Sequence, residues 1–357
     1  ETDPLNLNRI ILAEGRFRSL FTISPFKMEN KMKILITLFF FIITTTIGWT
    51  KPILTIYAPD YFTSEWGPGP GIEEAFEKVC NCNLVYVSGD LLPRLMIEGS
   101  RTKADIVIGL NTDVTFQARS LDLFVPHGQD ISDLTIPVDW TDETFLPFDW
   151  SHTAFIYDNN KLKNPPKSFD ELLSSDTDLK IIIQDPRTSI SGLALVLWVK
   201  AIYGDRATEA FEKLAPKVLT VTKGWSESYG MFTGGEADMV LSYTTSPAYH
   251  IIAENDNSKS AAIFSEGHYF FTELVAMTNT SKEPKLAKTF MEFVLSETFQ
   301  EMIPTSNWSF PAKLDPKKLP SGFANLDMPK KALFYNELDA QKYRDIVINE
   351  WLEAFQK

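Results

Sequence analysis

The sequence has few of the residues that reactive and metal-binding sites most often use. Its 357 residues include two cysteines and four histidines. Cys80 and Cys82 are separated by one residue, too few for a zinc-type pair, and no other cysteine exists to complete a site. The histidines form no H-E-x-x-H motif and no close pair. These absences argue against a metal centre and give hydrolase chemistry little support.

Basic residues are also in deficit. The chain carries 34 lysines and arginines against 47 aspartates and glutamates, a formal net charge of -13. So acidic a surface repels phosphate backbones, and we therefore expect no nucleic-acid partner. The same charge mildly favours a cationic ligand.

An apolar segment near the N-terminus is short for a membrane span. Residues 34–48, ILITLFFFIITTTIG, follow Lys31 and Lys33 and carry no charge. A spanning helix needs about 20 residues, whereas a positively charged start and a shorter apolar run are typical of a secretory signal. We expect a cleavable signal peptide at 32–48, an extension of uncertain status at 1–31, and hence an exported protein. An uncleaved membrane anchor is the alternative.

Export would place the C-N-C segment in an oxidising compartment. A local disulfide between Cys80 and Cys82 is the preferred interpretation, and a pair of free thiols at a helix end is the alternative. Neither interpretation makes these residues catalytic.

Short apolar runs alternate with helical patterns along the rest of the chain. The predicted strands are 53–58, 83–88, 105–110, 153–158, 180–185, 218–223, 237–243 and 269–277. The predicted helices are 71–79, 90–99, 169–175, 191–204 and 209–215, followed by helical patterns at 285–303 and 343–356. This alternation predicts α/β architecture with mostly parallel sheets. The length favours two lobes, and the chain is expected to cross between them near 145–152 and 268–276.

Two glycine-containing motifs are near misses to known sites. WGPGPG at 66–71 lacks the G-x-G-x-x-G spacing, and its prolines remove the N–H donors that a pyrophosphate needs. A tight turn presenting Trp66 explains it better. GWSES at 224–228 has Ser228 where a nucleophile elbow requires glycine.

The segment QDPRTSISG at 184–192 lies between a predicted strand and a predicted helix. Thr188 or Ser189 can cap that helix by satisfying its free N–H groups. The same N–H groups and hydroxyls can instead hold a ligand's polar end or an anion, and the two roles are compatible.

Aromatic residues lie at several junctions between predicted elements. In the segment 223–250 they surround one predicted strand and the polar turn after it. The junction residues are Trp66, Trp225, Tyr243, Tyr249 and Trp308. Ligands of open α/β sheets lie at the carboxyl ends of strands, and aromatic faces suit a flat ring or a cation. Ordinary packing of lobe edges is the alternative.

At these residues the sequence resembles the periplasmic thiamine-binding proteins of bacterial ABC importers. The segments that carry the resemblance are DYF-x-x-x-WGPGP, CNCNL, KADIVIGL, LKNPPKSFDEL, QDPRTS, LTVTKGWSESYG, LSYTTSPAYH, FSEGHY and PTSNW-x-FP. They extend from residue 51 to about residue 357. KGWSE and SYTTSPAY together make the resemblance highly specific.

The resemblance implies a two-lobed type II periplasmic binding protein fold, α/β in each lobe, with the ligand in the cleft between lobes. Lobe 1 is expected to comprise 51–148 and about 272–357, and lobe 2 to comprise 149–271. It implies a monomeric receptor that captures thiamine, or its mono- and diphosphate, and delivers it to an inner-membrane ABC permease. Thiamine is then a transported ligand, with no cofactor, metal or catalytic residue.

Ligand-binding residues follow from the resemblance by position. Trp225 and Tyr249 are expected to stack on the ligand, and Trp66 and Trp308 to close over it. The residues expected to contact polar or charged parts of the ligand are Ser189, Tyr243, Asp60 and Asp90.

Two departures from the family pattern affect one wall of the expected cleft. Pro59 stands where the family commonly has an aromatic residue just before Asp60. The loop after strand 83–88 is short, so that only Gly89 and Asp90 stand where the family offers a ligand contact.

Two other functions share the expected fold. A thiamine-cleaving transferase would need a cysteine nucleophile in the cleft, whereas Cys80 and Cys82 follow the first helix. A ferric iron or polyamine-binding protein could use Tyr243 and Tyr249, but the tryptophans suit flat ligands better.

Overall fold

The computed structural model describes residues 51–175 and 178–356. The expected N-terminal extension (1–31) and signal peptide (32–48) lie outside these residues. In the described part of the chain, no helix combines the length and apolar character needed to cross a bilayer.

Twelve strands are described. They are β1 (Ile53–Ala58), β2 (Asn83–Ser88), β3 (Ile106–Asn111), β4 (Phe124–Val125), β5 (Leu146–Asp158), β6 (Ile181–Gln184), β7 (Val218–Thr222), β8 (Met239–Tyr243), β9 (Lys259–Ala262), β10 (His268–Thr278), β11 (Phe310–Pro311) and β12 (Ala332–Leu333). Each of the eight predicted strands corresponds to one of them, because runs of β-branched and aromatic residues between polar turns suit a buried pleated strand.

The α-helices of the described residues lie between and after these strands. They are α1 (Asp60–Thr63), α2 (Gly69–Cys80), α3 (Leu91–Glu98), α4 (Thr115–Arg119), α5 (Phe169–Ser174), α6 (Ile190–Tyr203), α7 (Ala207–Leu214), α8 (Trp225–Thr233), α9 (Ser246–Ala253), α10 (Pro284–Val294), α11 (Glu297–Ser306), α12 (Ser321–Ala324) and α13 (Glu337–Phe355). The pattern at 285–303 is divided between α10 and α11, because Ser296 accepts a hydrogen bond from the Phe299 N–H and caps a new helix.

The main sheet has the strand order β2-β1-β3-β10-β5-β8-β6-β7. The outer strands pair in parallel, as predicted: β1 with β2 and β3, and β6 with β7 and β8. The two central strands add antiparallel pairings, since β10 pairs with β3 and β5, and β5 pairs with β8. The carboxyl ends of β6 and β8, where Gln184 and Tyr243 lie, therefore point the same way.

Strand β5 takes part in both halves of this sheet. Its residues from Leu146 to His152 pair with β10, and those from Thr153 to Asp158 pair with β8 and β9. One continuous strand thus passes from the β1-β2-β3 side to the β6-β7-β8 side without a linker.

Helix α6 is apolar on all sides and is correspondingly buried from Ser191 to Lys200. Trp198 donates its indole N–H to the Gly267 carbonyl oxygen at 2.9 Å, and Lys200 forms an ion pair with Glu350 on α13 at 2.7 Å. These contacts fix the helix, and so fix the position of Ser189 at its N-terminal end.

The C-N-C segment ends α2 and begins the approach to β2. Asn81 has a φ of +50°, a left-handed conformation that ends the helix. Cys80 and Cys82 on either side of it are joined in a disulfide.

Gly192 makes the closest approach between α6 and β6, and replacing it tests this packing. A Cβ atom there would lie 2.5 Å from the Gln184 carbonyl oxygen. We expect Gly192→Ala to lower the free energy of unfolding by about 1–3 kcal/mol, because a packed backbone must move. Urea unfolding followed by circular dichroism measures the change.

Gly230 in α8 provides the matched control. A Cβ atom at this position meets no atom within 4 Å. Gly230→Ala should raise the free energy of unfolding by about 0.5–1 kcal/mol, since alanine is the better helix former. Equal effects of the two alanines would contradict the packing described for Gly192.

Candidate functional site

The central strands place two acidic side chains directly opposite each other. Glu273 on β10 faces Asp149 on β5, and on its other side it faces Asn111 at the end of β3. Directly opposed residues of paired strands lie on the same face of a sheet. Asp149 is fully buried and Glu273 is 3% exposed, so the two carboxyl groups meet away from water.

Side chains from two other segments hold this carboxyl pair. Tyr61 on α1 donates its hydroxyl to Glu273. The Asn307 side-chain amide donates to Asp149 Oδ2 at 2.5 Å and to Glu273 Oε2 at 2.7 Å. The Glu273 backbone N–H donates to Asp149 Oδ1 at 3.1 Å. The pair thus joins β5, β10, α1 and the residue after α11.

Burial raises the pKa of both Asp149 and Glu273 above the usual value of a carboxyl group. For Asp149 the negative charge of Glu273 raises the pKa further, whereas the Asn307 amide opposes the shift. The pair therefore keeps a proton at a pH at which solvated carboxyl groups have lost theirs.

Trp225 is the first residue of α8 and lies beside the end of β8. Its indole N–H donates to Ser242 Oγ at 2.7 Å, and its ring stacks on Tyr229 with centroids 4.8 Å apart. The Ser242 hydroxyl is in turn 2.7 Å from the Ser246 hydroxyl at the start of α9. One face of Trp225 is thereby fixed against the protein, and the ring is half-buried.

A chain of buried hydrogen bonds leads from Trp225 to Ser189. Ser228 Oγ donates to the Trp225 carbonyl oxygen at 2.8 Å and lies 2.5 Å from Gln184 Nε2. Gln184 Oε1 accepts from Ser191 Oγ at 2.8 Å, and Ser191 Oγ is 2.9 Å from Ser189 Oγ. The ends of β6 and β8 and the first turns of α6 and α8 form one polar wall.

Tyr243 ends β8 between this wall and the carboxyl pair. Its ring lies 4.9 Å from Phe271 on β10, centroid to centroid. Burial and then the negative charge of Glu273 raise the pKa of Tyr243 well above its usual value, while the Ser191 hydroxyl opposes the shift. Tyr243 is thus a neutral phenol with Ser191 on one side and Glu273 on the other.

Tyr249 and Trp308 bring distant parts of the chain together. Tyr249 lies in α9, and its ring meets the edge of the Trp308 ring with centroids 5.1 Å apart. Trp308 directly follows Asn307 and has a φ of +54°, a conformation that disfavours side chains. Backbone strain of this kind costs about 1–3 kcal/mol and is concentrated at functional sites.

The other three predicted residues lie on the β1-β2 side. Trp66 precedes α2 and is 56% exposed. Asp60 begins α1 and accepts a hydrogen bond from Ser88 Oγ at 2.5 Å. Asp90 is exposed at the N-cap of α3, where its side chain makes no capping hydrogen bond. No described ring contact or hydrogen bond joins these three to Trp225, Tyr243, Tyr249 or Trp308.

The segment 223–250 differs from the single strand and polar turn that the sequence predicts. Trp225 begins helix α8, and Tyr249 lies inside helix α9. Pro247 in the first turn of α9 fits the start of a helix, where its missing N–H costs nothing. The prediction was wrong about these two helices, although it placed both rings next to β8 correctly.

Several residues of the site were not predicted from the sequence. They are Tyr61, Asn111, Asp149, Gln184, Ser191, Ser242, Glu273 and Asn307. One signal was present in the sequence: Glu273 is a single charge inside the apolar run YFFTELVAM.

One group of potential metal ligands occurs in the described residues. Ligand atoms of His250, Glu254 and Asp256 lie within 4.8 Å of one another. His250 already bonds Glu254 Oε2 at 2.7 Å and the Tyr229 hydroxyl at 2.9 Å. Both imidazole nitrogens are therefore engaged in hydrogen bonds, which explains this cluster without an ion.

The raised pKa of Asp149 predicts how stability depends on pH. A proton held by the folded pair is released by the unfolded chain at a lower pH, so the pair stabilises the fold fully below the ordinary carboxyl pKa. That contribution is lost as pH rises through the raised pKa. As the pH rises from about 5 to about 8, the unfolding free energy of Asp149→Asn should therefore fall less than that of the wild type. Urea unfolding at several pH values measures both slopes; parallel slopes would contradict the shared proton.

Comparison of sequences identifies close relatives. The profile of the bacterial extracellular solute-binding protein family matches residues 69–301. The thiamine-binding periplasmic protein of Escherichia coli strain K12 is 46% identical over 320 residues, which cover 88% of this chain and 97% of the relative. The thiamine-binding periplasmic protein of Brucella melitensis biotype 1 is 49% identical over 308 residues, which cover 85% and 92%. These relatives are named as binding proteins and not as enzymes.

Solved structures agree with the sequences. A periplasmic thiamin binding protein superposes with a TM-score of 0.83 at 47% identity, covering 86% of this chain and 97% of that one. Iron-bound HitA from Pseudomonas aeruginosa superposes with a TM-score of 0.69 at 19% identity, covering 85% and 99%, and this likeness concerns the fold alone. The predicted α/β type II periplasmic binding protein fold is confirmed. The chain belongs to the bacterial extracellular solute-binding protein family.

Proposed function

We propose that this chain is a periplasmic receptor for thiamine. The observation that carries the proposal is its 46–49% identity, over 85–88% of its length, to proteins named for thiamine binding. Identity at this level across both halves of the main sheet leaves little room for a different kind of ligand. The family resemblance read from KGWSE and SYTTSPAY leads to the same ligand.

The aromatic residues suit the two rings of thiamine. Its thiazolium is flat and permanently cationic, and its aminopyrimidine is flat and neutral. A cation over an aromatic face gains up to about 2 kcal/mol or more when desolvated. Trp225 and Tyr249 are proposed to stack on the ligand, with Trp308 behind Tyr249 in edge contact. Trp66, exposed at the start of α2, is proposed to close over it.

Polar groups are proposed to bind the ligand's ends. Tyr243 and Ser189, linked through Ser191, can hydrogen-bond the pyrimidine, the hydroxyethyl arm or a phosphate. The first turn of α6 adds backbone N–H groups that favour an anion, so thiamine mono- and diphosphate are proposed as further ligands. Asp60 is proposed as a charge partner and Asp90 as a contact on the opposite wall.

The fold supports a role in transport. Residues 51–148 with about 272–357 are proposed as lobe 1 and 149–271 as lobe 2, with β5 crossing between them. Thiamine contacts to both lobes would favour a closed state over an open one. We propose that the exported, monomeric protein then delivers its ligand to an inner-membrane ABC permease.

Catalysis is not part of the proposed function. A thiamine-cleaving transferase needs an activated nucleophile, and both cysteines of this chain are bonded to each other. Incubation with thiamine should therefore yield no free pyrimidine product by liquid chromatography.

Removing the stacking rings should weaken thiamine binding. We expect Trp225→Ala and Tyr249→Ala each to raise the Kd about 10-fold or more, the equivalent of about 1.4 kcal/mol. Isothermal titration calorimetry with thiamine and its two phosphates measures the change.

Phe355→Ala provides the control. It removes a ring that stacks on Trp351 near the C-terminal end of α13, outside the proposed site. This variant should bind thiamine as the wild type does. Unchanged binding by both Trp225→Ala and Tyr249→Ala would show that the aromatic site is misplaced, and absence of heat with the wild type would refute thiamine as the ligand.

A further inference from the structure

Asp149 and Glu273 form an arrangement that destabilises the sheet when no ligand is bound. Two negative charges directly opposite each other on paired strands would repel, so the pair shares a proton, and the negative charge that it keeps is costly because it is buried. Within residues 51–175 and 178–356, no lysine, arginine or histidine forms an ion pair with either carboxyl group. The described residues thus provide no ion-pair partner for either carboxyl group.

Buried polar atoms without a partner lie opposite Glu273 and opposite Tyr243. Asn111, opposite Glu273, gives its amide group to Asp113 at 3.2 Å, and its Oδ1 atom has no partner. Thr153, opposite Tyr243, is fully buried, and its Oγ1 atom has no partner. Buried polar atoms of folded proteins are nearly always paired, so these two atoms leave hydrogen-bonding capacity that a ligand could use.

An irregularity in the pairing of β5 with β10 lies directly beside the two carboxyl residues. Glu273 pairs with Asp149, but the next residue, Leu274, pairs with Pro147, so that Phe148 is an extra residue in β5. Such bulges bend a strand and redirect side chains, and they are common next to functional sites. Tyr243, a proposed ligand contact, is close enough to the pair to feel the charge of Glu273.

We propose that Asp149 and Glu273 form the anionic floor of the ligand site and select a cationic ligand over a neutral one of the same shape. This inference rests on the proposed function, because thiamine supplies the cation. The aromatic rings attract a cation through their faces but carry no net charge, whereas the carboxyl pair provides a negative charge in a water-poor place. Both the aromatic faces and the floor therefore favour a cation over a neutral analogue, and the floor adds the share of this preference that comes from a net negative charge.

Other titratable groups face the same region. Tyr61 from α1 and Tyr243 from β8 stay neutral, because burial and Glu273 raise the pKa of each well above the usual value. Asp113 lies two residues after Asn111 and accepts a hydrogen bond from the Tyr269 hydroxyl. Burial raises the pKa of Asp113 to about 6, although the Tyr269 hydrogen bond and the positive charge of Arg344 lower it. Acid that protonates the pair fully removes its negative charge, so affinity for a cation should fall with falling pH.

The test compares thiamine with an analogue in which a neutral thiophene replaces the thiazolium ring. Calorimetry gives the ratio of the analogue's Kd to the Kd of thiamine for the wild type and for the double variant Asp149→Asn/Glu273→Gln. We expect this ratio to be about 10- to 100-fold lower in the double variant than in the wild type, because the thiazolium cation loses its negatively charged partner. Asp113 is unchanged in this variant, so its own titration does not contribute to the drop.

Two controls accompany the test. The variant Glu74→Gln/Asp345→Asn removes two charges from exposed positions and should keep the wild-type ratio. The wild type itself, titrated from neutral to acidic pH, should lose affinity for thiamine faster than for the analogue. A titration of each free ligand corrects for protonation of its pyrimidine, so this measurement remains decisive if the double variant does not fold.

The outcomes separate this inference from the proposed function. A wild type that binds neither compound refutes the proposed function. A wild type that binds thiamine and the analogue equally well at all pH values refutes the anionic floor alone. A folded double variant that keeps the full preference for thiamine refutes it as well.

Discussion

Strands β5 and β10 pair antiparallel at the middle of the sheet, and β5 continues beyond this pairing to hold β8 and β9. The outer parallel strands on each side are attached through these two. A protein that must bring two halves together around a ligand needs a connection that keeps its register while the halves move. A hydrogen-bonded strand meets this need better than a flexible loop, because its ends cannot drift independently.

The site combines two kinds of surface that meet at this connection. In the wall formed by α6, α8 and the ends of β6 and β8, neutral hydrogen bonds connect Ser189 to Trp225 by way of Ser191, Gln184 and Ser228. The floor on β5 and β10 is acidic, and its carboxyl groups are held by Tyr61 and Asn307 from separate segments. The proposed ligand, a flat cation, would suit both surfaces at once.

The sequence predicts the strands well and this site only in part. β1 and β2 have the predicted ends, because apolar runs such as ILTIYA are bounded by clear turn residues. Helices α8 and α9 were missed, because glycine, serine, threonine and proline dilute any helical pattern in 223–250. The aromatic residues were found through their junctions and the family resemblance. Asp149 and Glu273 were missed, because they are 124 residues apart and only the fold reveals which acids are buried together.

The glycines of the WGPGPG turn gain a meaning from this arrangement. A side chain at Gly67 would strike the Tyr61 carbonyl oxygen, and one at Gly69 would come 2.7 Å from that of Phe62. The turn thus packs closely against the backbone of α1, and its prolines restrict its own backbone. A methyl group added at Gly67 would displace the backbone of Tyr61, and with it the hydroxyl group that donates to Glu273. The WGPGPG turn resembles a phosphate-binding loop but lacks its spacing. By supporting Tyr61 it helps to position Glu273, more than 200 residues away in the chain.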